Sequence, residues 1–455
     1  MKTMWKLTAA MLSAAMLVSA VPFAAYAADD EPAETITATV ELKETSATAT
    51  GDNVKVDGTV ITVSASGSYV FSGKLNDGQI CVDIPEAAGD DGKMKPVDEG
   101  TVKLIFSGVE ITGTAAPAVL VNNAKKTSIT LTADTENFLY DGEAAYASTN
   151  AVIYAKDDLT IKGEGALRVE GNQNYGIHCN NDLKITGGNL KVRTNGTKDT
   201  DGNKYADGIR GKGSVEIKGG KIDINANGDG IKSTKGTVTI SAGEIDVKAS
   251  NDAVQADTAL TVSGGVLKAN GDRSLTCGTV TLNGGSILAT ATDAQPAEIA
   301  GTQPALELNF AEEQVKDLEL ALSANGETVF AMTPDKKFKY ALISDPGLLP
   351  EKDYELTLGG KLVMADGVAV VSIKAAAGVT LIENVTVSAE EEFNGDLDQN
   401  GSTGIADAIM MCRYIAEDND VKVPAAGVAL MDFNKDGFVT SEDTQILLCF
   451  IAGIL

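Results

Sequence analysis

The chain has 455 residues and a formal net charge of -27, from 64 acidic and 37 basic side chains. That length exceeds one ordinary compact core and calls for several domains or an elongated repeat array. The acidity argues against nucleic acid, whose phosphates need basic patches, and suits an extracellular protein that handles divalent cations.

Residues 1–27 read as a signal peptide. Lys2 and Lys6 supply a positive n-region, Leu7 to Val21 an apolar stretch, and Ala25-Tyr26-Ala27 a small-residue cleavage signal. No later stretch is apolar over the roughly 18 residues that a membrane helix needs, so export in soluble form is expected. The one tryptophan, Trp5, falls in that leader, which leaves no indole to grip flat crystalline polysaccharide. Cys81, Cys179, Cys277, Cys412 and Cys449 are odd in number and scattered, which suggests buried thiols rather than a disulfide framework or a metal cluster.

Residues 36–300 alternate short β-branched strands with Gly, Asn and Asp. Asp207-Gly-Ile-Arg-Gly, Asp229-Gly-Ile-Lys-Ser and Asp252-Ala-Val-Gln-Ala recur at spacings of 22 and 23 residues. Gly187-Gly188, Gly219-Gly220, Ala242-Gly243, Gly264-Gly265 and Gly284-Gly285 run in step with them. This period predicts an all-β fold, a right-handed parallel β-helix with three strands per rung of about 20–23 residues. The Leu/Asn pattern of leucine-rich repeats is missing, and an immunoglobulin-like sandwich would not repeat one motif in register.

Aligning the repeats on Ile153, Ile177, Ile209, Ile231 and Val254 as the inward column lets other columns be read. One position later stand Tyr154, His178, Arg210, Lys232 and Gln255. This outward polar line suits a linear, acidic polysaccharide through ring contacts and charge-assisted hydrogen bonds to uronate. Two positions earlier stand Asp207, Asp229 and Asp252. Carboxylates at about 4.8 Å repel by about 3 kcal/mol per neighbouring pair at an effective dielectric of about 20. A calcium ion, the flanking Arg210 and Lys232, or backbone hydrogen bonds must relieve that. An aspartate ladder capping turns and a calcium site weigh about equally. Cys179 and Cys277 share a column but sit four rungs, about 19 Å, apart, too far for a disulfide.

Residues 301–388 lose the repeat but stay β-like, and are expected to cap the open strand edges. An acidic linker, 389–393, leads to the last module, 394–455. There Asp396, Asp398, Asn400 and Asp407 stand at positions 1, 3, 5 and 12 of a twelve-residue loop with Gly401 at position 6. Asp432, Asn434, Asp436, Gly437 and Asp443 repeat this 36 residues on. Oxygen side chains at alternating positions converge as calcium requires, and the backbone carbonyls of Ser402 and Phe438 would add a ligand to each. Helices are expected over Ala408 to Ala416 and Thr444 to Ala452. The module carries ten Asp and Glu against three Lys and Arg, so two Ca2+ ions would offset four of its seven net negative charges, and a poorly folded apo form is expected.

These paired loops resemble a type I dockerin, the small helical module that attaches secreted proteins to cohesins on a scaffolding protein. The resemblance implies a cohesin partner and an extracellular multi-enzyme complex. It also implies that positions 10 and 11, Ile405-Ala406 and Ser441-Glu442, choose the cohesin. These pairs differ, so one binding orientation is expected.

A second resemblance rests on Gly67-Ser-Tyr-Val-Phe-Ser-Gly, Thr135-Glu-Asn-Phe, Asp157-Asp-Leu-Thr-Ile, Tyr175-Gly-Ile-His, Asp182-Leu-Lys-Ile-Thr-Gly-Gly and Gly228-Asp-Gly-Ile-Lys-Ser. They look like a family of bacterial carbohydrate-binding β-helices similar in fold to calcium-dependent pectate lyases. That resemblance implies binding of plant cell-wall polysaccharide, including acidic sugars, and calcium at Asp207, Asp229 and Asp252. A non-catalytic binding protein is thus the leading expectation. The rivals are a calcium-dependent polysaccharide lyase, with Lys232 or Arg210 as base, and a spacer that only displays the docking module.

Overall fold

The computed structural model describes residues 35–89, 93–142, 149–196, 206–293, 298–365, 367–373, 378–388, 395–418, 420–428, 430–434 and 437–452. The expected signal peptide and the 389–393 linker lie outside the described residues, as does Asp436.

Within the repeats, β-branched residues alternate with polar ones, and this period of two sends every second side chain inward. Each strand then pairs with its counterpart one repeat away. Ile153 faces Ile177, which faces Ile209, then Ile231, Val254 and Leu275. All six are at most 4% exposed. These strands, Ala151–Ala155, Tyr175–Cys179, Ile209–Gly211, Ile231–Ser233, Asp252–Ala256 and Arg273–Thr276, belong to a ten-stranded sheet. Its opposite end is the antiparallel pair Val54–Asp57 and Val60–Val63.

The rest of each repeat enters a 23-stranded sheet. In the later repeats it does so as one long strand: Val215–Ala226, Val238–Ala249, Ala259–Gly271 and Thr279–Ala291. Each bends at the second residue of the Gly-Gly marker, where Gly220, Gly243, Gly265 and Gly285 have φ between 83° and 105°. A side chain is strained there, whereas glycine turns the chain at little cost. A Cβ on Gly243 would also lie 2.9 Å from the Gly220 carbonyl oxygen of the previous repeat.

These observations correct the expected fold class. A right-handed parallel β-helix of three strands per rung is not what the structure shows. From Val215 on, two expected strands run as one bent strand: the ladder is irregular at the glycine corner itself but resumes on its far side between the same two strands. The large sheet is also mixed. Ala38–Glu44 pairs antiparallel with Ser46–Gly51, and Phe338–Ser344 runs antiparallel to Thr279–Ala291. The described chain is mostly β, with short helices only near its C-terminal end.

Residues Leu306 to Val385 contribute a second core, including Phe310, Phe338, Tyr354 and Leu356, on mostly antiparallel strands. The strand Phe338–Ser344 takes up backbone groups of the last long repeat strand, which would otherwise be an open edge. Helices α1 (Ile405–Ile415), α2 (Ala425–Val428) and α3 (Ser441–Ile451) frame a third core of Leu397, Ala408, Met411, Met431 and Leu447. The five cysteines are free.

If the inward column holds the repeats together, Ile231→Ala should cost about 2–5 kcal/mol in urea unfolding, and Gly243→Val should lower the melting temperature. Wild-type stability in both variants would contradict the packing.

Candidate docking loops and glycan-facing column

The two acidic loops near the C-terminus close on themselves in the same way. Asp407 Oδ1 accepts from the backbone N–H groups of Leu397 (2.7 Å) and Asp398 (3.1 Å), and its Oδ2 accepts from Gly404 N–H (2.8 Å). Thirty-six residues on, Asp443 Oδ1 accepts from Phe433 (2.8 Å) and Asn434 (3.1 Å), and its Oδ2 from Thr440 (2.8 Å). Both carboxylates are fully buried. Burial raises the Asp443 pKa, but the amides of Thr440, Asn434 and Phe433 outweigh it and hold the carboxyl below its ordinary value. Gly401 and Gly437 take φ of 93° and 88° at the sharp turn, and each donates its N–H to the first aspartate of its loop, Asp396 or Asp432.

The helices start three residues earlier than the sequence suggested, at Ile405 and Ser441. Asp407 and Asp443 lie in the first helical turn and cap it from within, so one carboxylate closes the loop and starts the helix. In the first loop, carboxylate oxygens of Asp396, Asp398 and Asp407 all lie within 4.8 Å of one another. That donor set fits a hard divalent cation such as calcium, with Asn400 and the Ser402 carbonyl in the expected sequence positions. In the second loop, Asp432, Asn434 and Asp443 occupy the corresponding places.

Ile405, Ala406, Ser441 and Glu442, the expected partner contacts, are all exposed. The structure adds Ile409 and Leu448, 55% and 41% exposed. Ile409 follows Ile405 by four residues, one helical turn, and that spacing was open to a sequence reading.

On the ten-stranded sheet, the polar column is paired in register from Tyr154 through His178, Arg210 and Lys232 to Gln255. It is less open than an outward position suggests. Tyr154 is 7% exposed, and the other four residues are half-buried. His178 packs edge-on between two tyrosines, with centroids 5.2 Å from Tyr154 and 5.6 Å from Tyr175. Its Nδ1 lies 3.0 Å from Asn150 Oδ1, which assigns the proton to Nδ1 and leaves Nε2 as acceptor. Burial, then Arg210 and Lys212, depress its pKa to about 4. Arg210 lies 5.2 Å from the Tyr175 ring centroid and donates to its hydroxyl at 3.2 Å.

Asp207, Asp229 and Asp252 are at most 4% exposed. The Asp229 N–H donates to Asp207 Oδ1 (3.0 Å), and the Asp252 N–H donates to Asp229 Oδ1 (3.1 Å). The outer oxygens take a base: Arg210 on Asp207 at 3.1 Å, and Lys232 on Asp229. Asp252 has no base three residues on, and Arg273 of the next repeat (2.7 Å) and Thr276 (2.9 Å) serve instead. Sequence columns missed these two because they belong to the following repeat. Burial and the neighbouring Asp229 push the Asp207 pKa up to about 6.

All three carboxylates are thus already bonded to amides or bases of the chain itself. Lys232 and Arg210 act here as donors in ion pairs, whereas a lyase base must accept a proton. Two buried atoms on the polar column, Arg210 Nε and Gln255 Oε1, have no protein partner among the described residues. One is a donor and the other an acceptor, and sugar hydroxyls, which both donate and accept, can complement each.

Comparison with known proteins adds four findings. The family profile described as carbohydrate-binding domain-containing protein matches residues 57–327, and that of the dockerin type I domain matches residues 394–451. A carbohydrate-binding domain-containing protein of Acetivibrio thermocellus is 40% identical over 148 residues, 31% of this chain and 48% of that protein. The chain thus spans about half the length of this curated relative. The solved structure of the polysaccharide lyase-like protein from C. thermocellum, a gadolinium derivative, is 30% identical, with a TM-score of 0.42 over 58% of this chain and 99% of that one.

Calorimetry should find two calcium ions per chain, falling to one in Asp396→Ala, with helical circular dichroism lost on chelation; unchanged stoichiometry would contradict the loop assignment. His178 is the only histidine, so NMR reads its titration directly. The midpoint should lie at about 4. Because the folded value is depressed, the stabilising contribution is complete above about pH 6.5 and is lost as pH falls towards 4. A midpoint near 6.5 would place the ring in open solvent.

Proposed function

We propose, because the chain belongs to the family of carbohydrate-binding domain-containing proteins, that it binds polysaccharide without cleaving it and delivers that grip to a larger assembly. Its type I dockerin implies a cohesin partner and association with a cellulosome-type extracellular complex. In this reading residues 1–27 direct export, 36–300 and 301–388 form the binding body, 389–393 link, and 394–455 dock. No helix among the described residues is long and apolar enough to cross a membrane.

The observation that carries the binding site is the paired polar column with its two unpartnered buried atoms, Arg210 Nε and Gln255 Oε1. A sugar chain along the stack would complete their hydrogen bonds and meet His178 Nε2 on the way. Asp207 and Asp229 act through Arg210 and Lys232, holding both bases in line. The finer reading is an acidic, pectin-like wall polymer, supported by the basic groups on this column. Calcium-assisted sugar binding requires a cation to displace these bases from the aspartates, leaving them to pair with uronate. In the docking module, Ile405, Ala406, Ser441 and Glu442 meet the cohesin, joined by Ile409 and Leu448.

Affinity electrophoresis through gels containing plant wall polymers tests this. The protein should be retarded, most strongly by uronate-rich polymer, and Gln255→Ala and Asp207→Ala/Asp229→Ala should each weaken retardation. Growth of unsaturated-product absorbance on polygalacturonate would make it a lyase, and no retardation by any polymer would make the body a spacer. Retardation that rises with added calcium separates the calcium-assisted form from the direct one.

A further inference from the structure

A groove on the other sheet has no part in that site. It encloses about 680 Å³ and crosses six stacked strands of the 23-stranded sheet, from Thr101–Gly113 to Val238–Ala249. One outward column runs along its floor: Lys103, Ser128, Thr160 and Lys184, paired in register. Three strand spacings put the two ends of this run about 14 Å apart. Lys126 and Lys162 flank the floor from the strands Lys126–Leu131 and Asp158–Gly163.

Four lysines and three carboxylates, Asp158, Asp182 and Glu216, line the groove, a small positive balance in a chain of charge -27. Lys184 is held by Glu216 at 3.3 Å. Lys126 and Lys162 have no ion pair among the described residues. One oxygen of Asp158 accepts from Asn181 Nδ2 (2.6 Å) and one of Asp182 from the Ser214 N–H (2.7 Å), which turns both towards the rim without removing their charge. At the basic end lies Ser128, 5% exposed, whose hydroxyl has no protein partner among the described residues. A buried hydroxyl between ammonium groups calls for an oxygen-rich, anionic ligand.

We infer that this groove is a second glycan site, which takes a carboxylate-bearing linear oligosaccharide along the stacking direction. Sugar carboxylates pair with Lys126 and Lys162, and a ring hydroxyl meets Ser128. A polymer of high charge density such as nucleic acid is repelled by the rest of the surface. A uronate chain, with one charge per sugar and hydroxyls between, matches lysines separated by Ser128 and Thr160. The inference rests on the acidic-polymer reading above and adds to the bases of the polar column a second set of cationic groups, on the other sheet.

The test compares Lys126→Gln/Lys162→Gln, Ser128→Ala and Gln255→Ala with wild type in gels of polygalacturonate and of a neutral β-glucan. The lysine pair should weaken polygalacturonate retention roughly tenfold, remove most of its sensitivity to added salt, and leave β-glucan retention intact. Ser128→Ala should weaken the same retention with no loss of melting temperature, because its hydroxyl has no protein bond to lose. Polygalacturonate retention unchanged in the lysine pair would overturn the groove while leaving acidic-polymer binding standing. Wild type that binds β-glucan but not polygalacturonate would overturn both. A lysine pair that melts early is replaced by Lys126→Arg/Lys162→Arg, which keeps the charge and should retain polygalacturonate; loss there would also overturn the site.

Discussion

In-register pairing of each repeat with the next is the constraint on which the other features depend. A slip of one residue would turn the whole inward column, from Ile153 to Leu275, out to solvent. The same pairing puts like residues in line, whether that helps or not. It stacks isoleucines in the core, where dispersion and burial favour the contact. It also stacks Asp207, Asp229 and Asp252, where Coulomb repulsion opposes it. The chain meets that repulsion with its own backbone, since the amide of each following aspartate donates to the carboxylate before it.

The aspartate column therefore acts as a local electrostatic scaffold. One oxygen of Asp207 and Asp229 ties repeat to repeat, and the other fixes a basic side chain three residues on. The docking loops use carboxylates in the same two-handed way. Asp407 and Asp443 tie the loop start to the helix start with one oxygen each. The two sites differ in what remains open. In the loops Asp396 and Asp398 bring further oxygens to the same point, whereas on the sheet every carboxylate already meets a base.

Much of this was readable in the sequence because it is periodic. The spacing of Asp207, Asp229 and Asp252 sets the pairing that the structure shows, and the 36-residue repeat sets the equivalence of the two loops. What periodicity does not carry is depth and continuity. A Gly-Gly marker reads as a strand break, yet at Gly220 and Gly243 the ladder only lapses and then resumes between the same strands, so from Val215 on two expected strands are one. Tyr154 reads as an outward ring, but Tyr175, Ala151 and Ala206 pack around it and leave 7% exposed. Arg273 and Thr276 were invisible as partners of Asp252 because a column read one repeat at a time omits side chains that reach back.

Unsatisfied polar atoms mark places where this regularity is incomplete. Among the described residues, six buried side-chain atoms have no protein partner, and three of them are Gln255 Oε1, Arg210 Nε and Ser128 Oγ. Such atoms destabilise a folded chain unless something else bonds them. Two lie on the polar column and the third on the lysine groove, each facing away from the aliphatic core. Their placement is what a surface shaped for hydroxyl-rich ligands requires, because a sugar brings donors and acceptors to positions that the repeat itself leaves open.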